Sequence, residues 1–149
     1  MEKPVRIVGG KALMKRLDSM RTQGSRNRIV RPAVSAAATK INKKAKSLAV
    51  EETGLLKKSI GIRRFTKRGA IFAVVGPRHG FKQDVQRTAP SGEIVTVTSD
   101  PTKYAHLVEF GTKHSSPKPF LRPAYDSTPS ERIMRDRMWT ELKKEAKKK

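Results

Sequence analysis

The chain contains no cysteine. Disulfides, thiolate metal sites and cysteine nucleophiles are therefore excluded. Aromatic residues are scarce, with one Trp, two Tyr and five Phe in 149 residues. Apolar residues make up 36 %. Counting glycine lifts this to about 43 %, still under the roughly 45–50 % of ordinary globular domains. The core must be thin, and part of the chain must face solvent or a partner. No run approaches the roughly 20 apolar residues that cross a bilayer, so no membrane partner is expected. Met1 to Gly10 lack an apolar signal core, and no secretion signal is expected. Acidic residues are scarce too: 13 Asp and Glu face 34 Lys and Arg, a net charge of +21. Such a surface repels copies of itself and attracts polyanions or acidic protein faces.

The length fits a single domain over 1–149. Its charge is uneven. Residues 1–64 hold 17 basic and 4 acidic side chains, most of the excess. Residues 1–24 read as an extension with a short helix over 9–21, where Leu13, Leu17 and Met20 share a face. A longer helix is expected over about 25–50. Ile29, Ala33, Ala37, Ile41, Ala45 and Leu48 form its apolar stripe. Pro32 removes a backbone donor, which places it in the first turn of a helix starting near Arg31, with a separate element before it.

Thr53 to Ile60 reads as a break and a single turn leading into a strand. Ile60 and Ile62 alternate along that strand, and Lys67-Arg68-Gly69 turns into a second strand, Ala70 to Val75. Residues 78–92 are polar and read as a loop insert. Glu93 to Ser99 is a third strand rich in β-branched residues. Thr102 to Phe110 is a short helix stopped by Gly111. A Gly/Ser/Pro loop follows over 111–119. The rest is helical, interrupted near Ser127-Thr128-Pro129, where Ser127 or Thr128 caps and Pro129 takes the first turn. Met134, Met138, Leu142 and Ala146 step by four, with Trp139 beside them, and residues 145–149 form a fraying basic tail. The order predicts an α+β fold. A small antiparallel sheet of three to four strands is packed by long N-terminal and C-terminal helices.

Catalysis has no positive signal. His106 and Glu109 sit three apart on a helix and could reach one ion, but no second such pair accompanies them. No nucleophile elbow, zinc-protease motif or phosphate loop is present. No catalytic residue, metal or cofactor is expected. Arg26, Arg28, Arg31, Lys40, Lys43, Lys44 and Lys46 offer a basic face to DNA phosphates or to an acidic partner. No zinc-finger spacing or aromatic RNA-binding motif points to sequence readout.

The densest pattern is Tyr104-Ala105-His106-Leu107-Val108-Glu109-Phe110-Gly111-Thr112, then Pro117-Lys118-Pro119-Phe120-Leu121-Arg122-Pro123-Ala124. Physically this is a helix, a glycine stop and a proline-stiffened loop. It seats Phe120 and Leu121 in the core and launches the last helix. Glu109, Phe110, Phe120 and Leu121 are expected to hold this helix–loop–helix joint. Glu109 is its polar exception, set to pair with Arg122 or to cap a neighbouring backbone.

These two segments, with Thr53, Gly54, Leu55, Ser59 and Ile60 upstream, resemble the tail-completion (head–tail joining, minor tail component) family of long-tailed bacteriophages. The resemblance covers about residues 30–145, within a family core of 25–145. The insert at 78–92 and the high charge are departures from the family. It implies a non-enzymatic virion protein, assembled in the host cytoplasm and placed at the head–tail neck. It implies a hexameric ring that contacts connector or neck proteins and the tail terminator or tail tube, with genomic DNA passing through. A ring about 40 Å tall would face only roughly 24 phosphates of duplex. Much of the charge would then meet acidic neighbours. A stand-alone basic duplex-DNA-binding protein is the alternative reading.

Overall fold

A computed structural model describes residues 23–50 and 54–147. The expected helix over 9–21 lies outside the described residues. Helix α1 spans Gln23–Leu48 and is followed by the single turn α2, Leu55–Ser59. Strands β1 (Ile60–Lys67) and β2 (Ala70–Pro77) form one antiparallel ribbon. Strands β3 (Gln83–Thr88) and β4 (Ile94–Ser99) form another. Helices α3 (Pro101–Phe110), α4 (Leu121–Asp126) and α5 (Ser130–Lys147) complete the chain. The fold is α+β, with its four antiparallel strands divided between two ribbons.

Helix α1 is one piece, contrary to the expected start at Arg31. Pro32 lies in its interior. A proline there costs about 3 kcal/mol through the lost donor and the ring clash. Ile29 and Ala33, on either side of it, are both buried. Burying an Ile side chain returns about 1.5–3 kcal/mol, and Ala36, Ala37 and Ala38 supply the best helix propensity just beyond. Packing and propensity together outweigh the proline.

The stripe of α1 also differs from expectation at its end. Ala33, Ala37 and Ala45 are buried, but Leu48 is exposed and Ala49 takes its place. A row of residues four apart drifts about 40° around the axis per step. Continuing by four reaches Ala49; the step of three to Leu48 leaves the row. Because the row winds, α1 meets different partners along its length. It packs against α5, β2, α4 and β1. Its last turns join the main core of Ala45, Ala49, Leu56, Ile60, Ala105, Phe120 and Ala124. Helices α1 and α5 run antiparallel, since Arg28 pairs with Glu145 at 3.9 Å while Lys44 and Ser47 lie beside Ser127 and Thr128.

The β1–β2 turn is a two-residue hairpin. Arg68 (φ 51°) and Gly69 (φ 78°) are both left-handed, the geometry that matches strand twist. The insert at 78–92 is not a loop throughout, as β3 occupies much of it. Asp84 faces Thr98 across the ribbon and accepts its hydroxyl hydrogen bond at 2.6 Å. Few contacts join this ribbon to the rest of the described molecule. Neither Ser127 nor Thr128 caps α5. Their hydroxyls donate backward to the carbonyls of Pro123 and Ala124, closing α4. Pro129 precedes α5 rather than entering it, and its carbonyl accepts the Ile133 N–H.

Candidate functional site

The pattern singled out in the sequence folds into one joint between α3 and α4. Helix α3 starts on Asp100, whose carboxylate accepts from the Thr102 hydroxyl at 2.6 Å and from the Thr102 N–H at 3.0 Å. The Thr102 hydroxyl holds this carboxyl below its ordinary value against the opposing effect of burial, aided by the Thr102 amide and by Lys103 and Lys82. Pro101 fills the first helical position. The expected start at Thr102 missed this cap. Its signal was in plain view, because Asp-Pro is a capping residue followed by the residue best suited to the first turn.

Helix α3 ends at Gly111, with φ 79° and ψ 179°, a conformation nearly confined to glycine. The site is also crowded. A Cβ there would lie 2.8 Å from the Pro117 nitrogen and 2.9 Å from the Ser115 carbonyl oxygen. The loop folds back on the helix, pairing Thr112 with Ser115 and donating the Lys118 N–H to the Val108 carbonyl at 2.8 Å.

This return brings the start of α4 to Glu109. Its Oε2 accepts the N–H groups of Phe120 at 2.8 Å and Leu121 at 3.0 Å. Its Oε1 accepts the Arg122 N–H at 2.9 Å. Of the two expected roles, the structure builds the backbone cap, and three donors at the start of α4 are satisfied by one carboxylate. The negative charge also meets the positive end of the helix. Burial pushes the Glu109 carboxyl up, but the three N–H bonds and the Arg122 charge outweigh it, so it sits below the usual glutamate value. With both oxygens so engaged, Glu109 does not form an ion site with His106, which is exposed.

Phe120 is 0 % exposed and is the largest side chain in the interior, with Leu121 packed at the margin of the same cluster. Tyr104 packs there too, while Pro119 is exposed and Pro123 half-buried. Phe110 corrects the sequence reading. It was expected to help hold the joint, yet it is 77 % exposed. Ala105 and Glu109 take the inward face of α3, which turns the adjacent position outward. The basic residues of α1 are exposed from Arg26 to Lys44, and Lys46 is half-buried. They do not share one face. Arg26, Arg28 and Arg31 cluster in its first turns, and Lys40, Lys43 and Lys44 border the groove against Ser127 and Thr128.

The joint holds the start of a short helix through one buried carboxylate. Around it lie large apolar side chains left open to solvent. The family described as "Bacteriophage HK97-gp10, putative tail-component" matches over residues 11–111. The chain belongs to this family and is a structural bacteriophage tail component of the virion. The match takes in the Thr53–Ile60 and Tyr104–Gly111 segments; Pro119–Ala124 lies beyond it. No curated protein and no solved structure matches the chain.

Proposed function

We propose that this tail component is a tail-completion protein. It forms a ring, hexameric by resemblance, at the head–tail junction, contacts the neck on one side and the tail on the other, and lets genomic DNA pass through. One observation carries the reading. Large apolar side chains stand exposed in groups on separate elements: Ile94 at 71 % with Val95 and Val97 on β4, Phe110 at 77 % with Leu107 on α3, and Trp139 at 61 % beside the half-buried Met138 and Leu142 on α5. A single dimer contact would cover one patch. Patches spread over three elements suit a protein with different neighbours on different sides, as a ring subunit has. A heterologous contact repeated by rotation closes into a ring. The net charge of +21 opposes self-assembly in free solution, so assembly on a docking neck or tail end is expected.

Phage produced without the chain tests this. Filled heads and finished tails accumulating unjoined, and joining on addition of purified protein, is the expected result. Normal joined particles in its absence would defeat the reading and favour a stand-alone DNA-binding protein.

A further inference from the structure

We infer that the tip of the β1–β2 ribbon is a sequence-neutral contact for duplex DNA, distinct from the basic residues of α1. Residues 54–83 carry eight Lys and Arg and no Asp or Glu. Four of the eight, Arg63, Arg64, Lys67 and Arg68, crowd the end of the ribbon, where every residue from 63 to 70 is exposed. Among the described residues, none of these four cations has an acidic partner. The register decides what the ribbon shows outward. Ile60, Ile62, Ala73 and Val75 take the face toward α1 and the core. Arg63, Phe65, Lys67, Phe72 and Val74 take the other.

On that outer face Phe65 and Phe72 are cross-strand partners, stacked with ring centroids 5.3 Å apart. The stack stiffens the ribbon between Arg63 and Lys67 and so fixes the spacing of these two cations, while Arg64 leaves from the opposite face, across from Ala73, and Arg68 sits in the turn. The two-residue turn leaves the end narrow. A two-stranded ribbon fits the major groove of duplex DNA, about 12 Å wide. Lys and Arg contacts to the phosphates that border the groove carry no sequence information, which suits contact with any passing sequence. Cations without counter-charge favour a polyanion over another copy of this basic chain. The inference rests on the reading that DNA passes through the assembled ring, but its test needs only the free chain.

The probe is a labelled 30-base-pair duplex, titrated by fluorescence anisotropy between 50 and 200 mM KCl. The variant carries Arg63→Gln, Arg64→Gln, Lys67→Gln and Arg68→Asn; Asn tolerates the left-handed turn position. A control carries Lys103→Gln, Lys113→Gln, Lys143→Gln and Lys147→Gln, the same charge removed elsewhere. Each phosphate contact contributes about 0.9 to the log–log salt slope, so the ribbon variant should lose about 3 to 4 of that slope. Over this salt range the wild type should then lose roughly 10²-fold more affinity than the variant. The control should keep the wild-type slope. Lys67→Gln with Arg68→Asn alone should lose about half as much as the full set, and circular dichroism should show all variants folded. Equal loss in ribbon variant and control overturns the assignment, because diffuse charge would then carry the binding. Polyglutamate displacing the duplex as well as competitor DNA does at matched charge overturns it in favour of an acidic protein. Head–tail joining that needs the chain, beside a ribbon variant that binds duplex like wild type, defeats the ribbon contact and leaves the ring standing. The reverse pair of results defeats the ring alone.

Discussion

At the residue scale, Glu109 concentrates more of the fold's specificity than any other polar side chain described. It serves three N–H donors that no residue of α4 itself could serve. In Glu109→Gln, one acceptor becomes a donor aimed at donors and the charge is lost. Hydrogen bonds to charged groups contribute about 1.5–3 kcal/mol, and a loss of that order is expected at neutral pH by denaturant unfolding. The folded-state carboxyl lies below its ordinary value of 4.5, so its stabilisation is present above that pH. It is lost as pH falls through the lowered value. The gap between wild type and Glu109→Gln should therefore close below about pH 4.5, and a gap constant from pH 7 to 3 would rule out the charged cap.

Gly111 and Phe120 flank this carboxylate. Gly111→Ala meets a forbidden conformation and two backbone atoms under 3 Å away, and should cost at least about 1–3 kcal/mol. Phe120→Ala empties the largest buried side chain and should cost about 3–5 kcal/mol. A melting temperature near wild type in either variant would contradict the packing described.

At the element scale, α1 is a long helix that carries its proline against local preference. Pro32→Ala restores a donor to the helix interior and should raise stability by up to about 3 kcal/mol. An unchanged midpoint in urea would mean that the first turns of α1 contribute little to folding. Elements with strong periodic or turn signals were legible in the sequence. The Arg68-Gly69 turn, the Gly111 stop and the buried Phe120 stand where their chemistry demands. What was not legible has physical causes. Strand β3 has one apolar residue, Val85, among polar ones, so alternation was invisible and only pairing with β4 reveals it. The unbroken α1 depended on tertiary burial of Ile29 and Ala33, which overrides a local rule. Exposure of Phe110 depended on which side of α3 Ala105 and Glu109 claim. The Asp100 cap is legible in the Asp-Pro pair, a capping residue followed by a first-turn proline.

At the scale of the whole molecule, a thin alanine-rich core supports two ribbons and a long helical pair whose outer surfaces are apolar or basic. Trp139 shows the consequence. It lines a groove on α5 with the half-buried Met138 and Leu142 and itself stands open to solvent. Trp139→Ala should leave the free chain's melting temperature within about 1–2 °C, since exposed substitutions stay near ±0.5 kcal/mol. The same variant should enter particles poorly, measured as copies per virion against wild type. Strong destabilisation with normal incorporation would assign Trp139 to the fold instead of to a neighbour. The measurement that tests the assembly role most directly is cryo-electron microscopy of the tailed particle at the neck. The predicted result is a symmetric ring of this chain between head and tail, with Ile94, Phe110 and Trp139 covered by neighbours and the β1–β2 tips turned to the DNA. Particles without the chain at the junction, or with those side chains still facing solvent, would contradict it.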